Sequence, residues 1–428
     1  MTARLSFVAL TLLVASLSAC SGQPDPTASP LASGAPSPSA GLATGPSATG
    51  PALSPGATRD PGDVPPSEPG PSRDPRVESA LARLDTDEAL VGQMLLIGWA
   101  GASVDAARDA IETLRPGGVL FIANASAAER AAALNVGLDG AAAEKGLVPL
   151  LKAIDHEGGA IQRIDDIENL GSNLAFAQTS PTVAEACQRG ASHARQLLEM
   201  GFEMNLAPVL DVKTNPDNRV IGPRSYGSRA ELVARLGSAY IRGLQSGGIL
   251  AVGKHFPGHG DTRVDSHLGL PVLNLGRRRL DSVELVPFER AIAPDTDLAA
   301  VMTGQIALPR IDPSGLPATL SQPVVSGILR DELSFEGLVL SDDLAAMAAI
   351  TEDFAPGEAA VLAIAAGVDM LIVGGDLERQ RTMRDALLAA LTSGELDRER
   401  VMDAVRHVVE AKARAGLLGG EPEPLPGC

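Results

Sequence analysis

Short, nearly unbroken apolar runs recur along the middle of the chain, at residues 94–99, 118–122, 149–155, 204–211, 250–255, 298–304, 337–342 and 370–374. They lack the in–out alternation of a half-exposed strand, so they predict parallel strands covered on both faces. Ala- and Leu-rich segments with helical spacing separate them, as at 184–200, 229–246 and 322–333. Eight strand–helix repeats between residues 76 and 418 predict one catalytic-sized domain, a TIM-type (β/α)8 barrel with loop insertions. An open doubly wound sheet is usually shorter and carries a Gly-rich phosphate turn after its first strand. Here that strand ends Gly98-Trp99-Ala100-Gly101, without the GxGxxG spacing. No length is left for a second domain.

The two ends of the chain read differently. Residues 1–19 hold one early cation, Arg4, and an apolar stretch at 5–17 that is too short to span a bilayer comfortably. The stretch closes on Leu17-Ser18-Ala19-Cys20, which resembles a bacterial lipobox. That resemblance implies cleavage before Cys20 and a diacylglyceryl group on its sulfur, hence an anchor on the outer face of the cell membrane. Each buried methylene contributes roughly 0.8 kcal/mol, so two or three acyl chains hold firmly. Residues 20–75 are almost wholly Pro, Ser, Gly, Ala and Thr and cannot bury enough surface to offset their ordering entropy. They are expected to form a disordered tether with a reach of about 40 Å. Residues 419–428 are Pro/Gly-rich and are expected to form a loose tail.

Composition narrows the picture. A net charge of −18 argues against nucleic acid as a partner and favours a neutral or mildly charged substrate. With 3% aromatic residues, the core must be built from Val, Leu, Ile and Ala. The three cysteines, Cys20, Cys187 and Cys428, have no zinc-like spacing and do not suggest a disulfide framework; the sequence assigns no role to the last two.

Candidate chemistry collects at the carboxyl ends of the strand runs, where barrel enzymes place their active sites. The third run ends in Asp155-His156-Glu157-Gly158-Gly159, with Arg163 beyond it. The fourth leads to Asp211 and a long loop with Arg224-Ser225-Tyr226. The fifth ends in Lys254-His255-Phe256-Pro257-Gly258-His259-Gly260, followed by Asp265-Ser266-His267, and the seventh in Ser341-Asp342-Asp343. A strand-end aspartate also serves as a helix cap, an alternative that stays open for Asp155 and Asp211 and suits Asp343 better than Asp342. Lys254, one of five lysines against thirty arginines, follows an apolar strand and needs an anionic partner. His255, His259 and His267 with Asp261 and Asp265 also compose a metal-ligand set. They lie on a Gly-rich loop rather than on the rigid elements a preformed site prefers, so no metal or other cofactor is expected.

Together these motifs, in this order and spacing, resemble glycoside hydrolase family 3, in particular its single-barrel bacterial β-N-acetylglucosaminidases. The resemblance runs from Val91-Gly92-Gln93-Met94 to about residue 418. It implies Asp342 as nucleophile, His267 as general acid/base and Asp265 as its dyad partner. It further implies Asp155, Arg163, Arg224, Lys254 and His255 as binders of the terminal sugar. His156 stands where Gln is common, and Gln305 where His is often found. Retaining hydrolysis needs an anion on one face of the anomeric carbon and a proton donor at the leaving oxygen. An imidazole with a reference pKa of about 6.5 can serve as both acid and base. The expected activity is removal of terminal β-linked N-acetylglucosamine from muropeptides or related wall glycosides. A phosphorylase or β-glucosidase of the same family is the enzymatic rival, and a non-catalytic sugar-binding lipoprotein the alternative of another class.

Overall fold

The computed structural model describes residues 74–100, 103–122, 127–420 and 428; the signal-like segment, Cys20 and almost all of the Pro-rich stretch lie outside the described residues. Every apolar run forms a strand: β1 Leu95–Trp99, β2 Gly118–Phe121, β3 Leu151–Ile154, β4 Met204–Asn205, β5 Leu250–Phe256, β6 Ala300–Thr303, β7 Leu338–Leu340 and β8 Leu371–Val373. All neighbours pair in parallel, in the order β7-β6-β5-β4-β3-β2-β1-β8. The ring closes where Leu340 bridges Met370 and the Ser341 N–H donates to the Met370 carbonyl at 3.0 Å. The fold is a (β/α)8 barrel.

Alternation along each strand divides the apolar side chains between two layers. Leu96, Leu120, Leu151, Val252, Met302 and Ile372 fill the barrel, whereas Ile97, Val119, Ile154, Val301 and Val373 pack under the helices. The fourth run yields only a two-residue strand, because the Ala207 N–H turns back to the Asn205 carbonyl at 2.7 Å instead of crossing to a neighbouring strand. Beyond it the chain continues as a bridge from Val209 to Lys254.

The expected helices form at Val183–Glu199 and Ala230–Ser246, the first closed by a Thr182–Glu185 capping box. They pack closely through Gly243, where a Cβ would collide with the Cys187 carbonyl. The third, Pro323–Glu332, is helical but wound as a π-helix. Among the described residues no helix is long and apolar enough to cross a membrane.

The last helix, Arg398–Arg414, stoppers the barrel floor: Val408, Ala411 and the following Ala415 join the interior cluster. Its Lys412 is fully buried, and Nζ donates to Gln93 Oε1 at 2.6 Å. The first helix, Pro75–Leu81, lies alongside, tied by Arg406 to Glu78 at 2.8 Å and by Arg76 to the Gly419 carbonyl at 2.8 Å.

One expectation is corrected. Cys187, buried on the helix Val183–Glu199, is disulfide-bonded to Cys428, 241 positions away. A bridge between such distant residues leaves no spacing signature. Residues 421–427 of the expected tail lie outside the described residues, but its last residue is covalently held.

Candidate active site

The carboxyl ends of the strands surround a cavity of about 240 Å³. Asp155, Arg163, Arg224, Lys254, His255, His267 and Asp342 all line it, although the sequence scatters them over nearly two hundred positions. Asp265 stands behind His267: its Oδ1 accepts the His267 backbone N–H at 2.9 Å and lies 2.8 Å from the ring Nδ1.

On one wall the charges form a connected network. Lys254, delivered by β5 and almost fully buried, places Nζ 2.7 Å from Asp155 Oδ1 and 2.7 Å from Glu157 Oε1. Arg224 grips both oxygens of Glu157, at 2.7 and 2.9 Å. Arg163 reaches Asp155 Oδ2 at 3.5 Å. Burial alone would push the Glu157 carboxyl up, but the Arg224 guanidinium and Lys254 ammonium hold it far below the usual range. For Lys254 burial works downward and the carboxylates of Asp155 and Glu157 overcome it, so its pKa is raised. Neither aspartate of the open alternative caps a helix. Asp155 belongs to this network, and Asp211 is fully buried, accepting the His259 N–H at 2.6 Å and contacting His255 Nδ1 at 2.7 Å.

Opposite lies Asp342, just past β7. The Asp343 N–H donates to its Oδ1 at 2.8 Å, leaving the second oxygen for the cavity. Asp343 itself braces the turn, accepting N–H groups from Ala345 at 2.8 Å and Gly374 at 3.1 Å. Ser341 fixes the approach: its Oγ accepts from the Ile372 N–H at 2.9 Å. The loop carrying Asp265 and His267 is pinned to the same region, the Ala349 N–H donating to the Ser266 carbonyl at 3.0 Å. The His267 side chain remains 61% exposed, at the cavity rim.

Three residues matter more than the sequence suggested. Glu157, seen only as part of a motif, joins Arg224 to Lys254. Asn205 clamps the main chain of His156 through a 3.0 Å and a 2.8 Å hydrogen bond. His259, considered only as a metal ligand, lines the cavity. A partner search for buried charges would have pointed to Glu157; nothing local marks Asn205. The two departures, His156 and Gln305, are both fully buried. His156 Nδ1 accepts the Arg163 N–H at 3.3 Å, and burial lowers its pKa to about 4. The histidines of the loop are not gathered as metal ligands. Among the described residues the one group close enough is Asp369, Asp403 and His407, away from the cavity, where Arg330 and Arg400 already bond Asp369.

Known proteins resemble this chain across the barrel. The description "Glycosyl hydrolase family 3 N terminal domain" matches residues 86–411. The chain is 31% identical over 319 residues to Beta-hexosaminidase A of Pseudoalteromonas piscicida, covering 70% of this chain and 53% of that protein. It is 35% identical over 304 residues to Beta-hexosaminidase LpqI of Mycobacterium tuberculosis, covering 68% of this chain and 73% of that one. A glycoside hydrolase family 3 beta-N-acetylglucosaminidase from Paenibacillus superposes with a TM-score of 0.76 at 41% identity, covering 78% of this chain and 64% of that chain. The match thus spans about half of the Pseudoalteromonas protein and under two thirds of the Paenibacillus chain. A matched span running from before β1 into the final helix takes in the whole barrel and its mouth, and on that ground the chain belongs to glycosyl hydrolase family 3.

Proposed function

We propose that the protein is a retaining β-N-acetylglucosaminidase that removes single terminal sugars. One observation carries this: Asp342 and the His267–Asp265 pair serve one enclosed cavity whose far wall is a fixed array of charged hydrogen-bonding groups. In the first step the Asp342 carboxylate bonds to the sugar's C1 while His267 gives a proton to the departing oxygen. In the second, His267 takes a proton from water, the water oxygen bonds to C1, and the ester to Asp342 breaks. Asp265 at Nδ1 orients the imidazole and stabilises its charged form. Asp155, Arg163, Arg224, Lys254 and His255 bind the hydroxyls and acetamido group. A cavity of about 240 Å³ is smaller than the roughly 300–1,000 Å³ clefts of drug-sized ligands and suits one sugar ring, hence exo action.

The reading extends to place and substrate. A lipid on Cys20 would hold the enzyme on the outer face of the cell membrane, with muropeptides or related wall fragments as substrates. The Cys187–Cys428 bridge supports an oxidising compartment, and the relatives named as beta-hexosaminidases support the sugar.

The decisive experiment traps the intermediate with an activated 2-fluoro glycoside and maps the labelled peptide. The adduct is expected on Asp342, and labelling of another side chain would overturn the mechanism. Turnover with and without phosphate separates the rival: release of sugar 1-phosphate would make the protein a phosphorylase.

A further inference from the structure

His259 is not among the residues to which the proposed reaction assigns a role, yet it is held as firmly as those that have one. It is 2% exposed and lines the cavity. Its backbone N–H donates to the Asp211 carboxylate at 2.6 Å, and its ring stands edge-on to His255, 5.9 Å between centroids. Its Nδ1 lies 2.8 Å from Thr262 Oγ1. The other ring nitrogen, Nε2, is buried with no hydrogen-bond partner among the described residues. A buried polar atom left without a partner costs about 1–3 kcal/mol, so its persistence at a cavity wall calls for a ligand.

The surrounding hydrogen bonds favour one placement of the ring proton. Asn218 Nδ2 donates to the His259 carbonyl at 2.9 Å and to Thr262 Oγ1 at 3.2 Å. Thr262 Oγ1 also lies 3.0 Å from that carbonyl, but the carbonyl already accepts from Asn218 whereas Nδ1 has only the threonine, so the shorter 2.8 Å contact takes the single hydroxyl proton. The ring proton then sits on Nε2. Burial lowers the pKa of His259 against the pull of the Asp211 carboxylate and, further off, that of Asp342, so the ring is neutral. A neutral, unpartnered N–H on a residue that lines a cavity together with a carboxylate is a donor for a ligand oxygen.

We propose that His259 is a further substrate-contacting residue, its Nε2–H donating a hydrogen bond to an oxygen of the bound sugar on the Asp342 side of the cavity. The inference rests on the reading of this cavity as the sugar site. It differs from the roles of His255 and His267: the ring neither pairs with a carboxylate through Nδ1 nor exchanges a proton with the leaving group.

The test has two arms. In the first, His259→Phe and His259→Gln are compared with the parent on an aryl N-acetyl-β-glucosaminide, with N-acetylglucosamine as competitive inhibitor. The Phe variant is expected to lose roughly 10- to 100-fold in kcat/KM, with inhibitor affinity falling in parallel, and the Gln variant to recover part of both. The acid and base limbs of the pH profile are expected to stay in place, because His259 does not titrate in the reaction. Parent-like kinetics and inhibition in the Phe variant would overturn the proposal. In the second arm the ¹⁵N shifts of the parent's His259 are followed during titration with N-acetylglucosamine. An Nε2–H tautomer whose Nε2 signal moves on saturation supports the contact, and an Nδ1–H tautomer or an unmoved signal overturns it. This arm also stands if a variant fails to fold. A parent that binds the sugar and moves the signal without hydrolysing the glycoside would overturn the hydrolase reading alone.

Discussion

At the residue scale the proposed chemistry depends on two side chains held by different means. Asp342 is set by a rigid strand end, His267 by a loop carboxylate. Asp342→Ala is expected to abolish hydrolysis of a chromogenic N-acetyl-β-glucosaminide, and His267→Ala to lower kcat by roughly 10²- to 10⁴-fold. An activated leaving group or added azide should partly rescue His267→Ala but not Asp342→Ala. Equal activity of both variants and parent would end the assignment. Glu157 makes a different prediction. Replacing it by Gln leaves Lys254 and Arg224 facing each other with one carboxylate fewer, and breaking a buried pair costs about 3–5 kcal/mol. A lower Tm together with a raised KM is expected, and an unchanged Tm would show the network to be dispensable. The cavity-lining residues Asp155, Lys254, His255 and Asp342 were legible in the sequence from short motifs at strand ends, and Arg163, Arg224 and His267 from motifs in the loops that follow. Glu157 was not assigned, because its partners lie far along the chain and meet it only once β3, β5 and the Arg224 loop are assembled.

At the element scale the strands were legible because burial on both faces turns each into a continuous apolar word. The boundaries were less so, as β4 shows, where apolar character runs past the point at which the Ala207 N–H turns back to Asn205. The π winding of Pro323–Glu332 left no trace, since apolar spacing barely distinguishes it from an α-helix over ten residues. The disulfide was equally silent. It fastens the last residue to the helix Val183–Glu199 and closes a long loop in the unfolded chain, worth up to about 5 kcal/mol in the chain-entropy picture. Cys187→Ser, Cys428→Ser and a reducing agent should each lower Tm by a similar amount, with no additive effect when combined. If reduction leaves the melting curve of the parent unchanged, the bridge contributes nothing to stability.

At the scale of the whole molecule, buried histidines set a pH dependence. His156 is neutral in the folded state, its pKa lowered by burial to about 4, and burial lowers that of His193 as well. The unfolded chain takes up these protons near the reference value of about 6.5, so stability is lost as pH falls from 6.5 toward 4. For His156 the full effect is on the order of 3 kcal/mol. Glu203 acts the other way: burial raises its pKa to about 7, so its contribution is lost as pH rises from 4.5 to 7. The difference between parent and His156→Gln isolates the histidine. Between pH 6.5 and 4 the Tm of the parent should fall more steeply than that of the variant, and parallel profiles would refute the assignment.

The barrel floor, where Arg406 meets Glu78 and Arg76 meets Gly419, has a practical corollary. Asp74, Arg76 and Gly419 meet there, on the side opposite the cavity. A bead or chip coupled to the first helix, Pro75–Leu81, therefore sits beneath the cavity mouth, and bulky glycans should approach an immobilised protein as freely as one in solution.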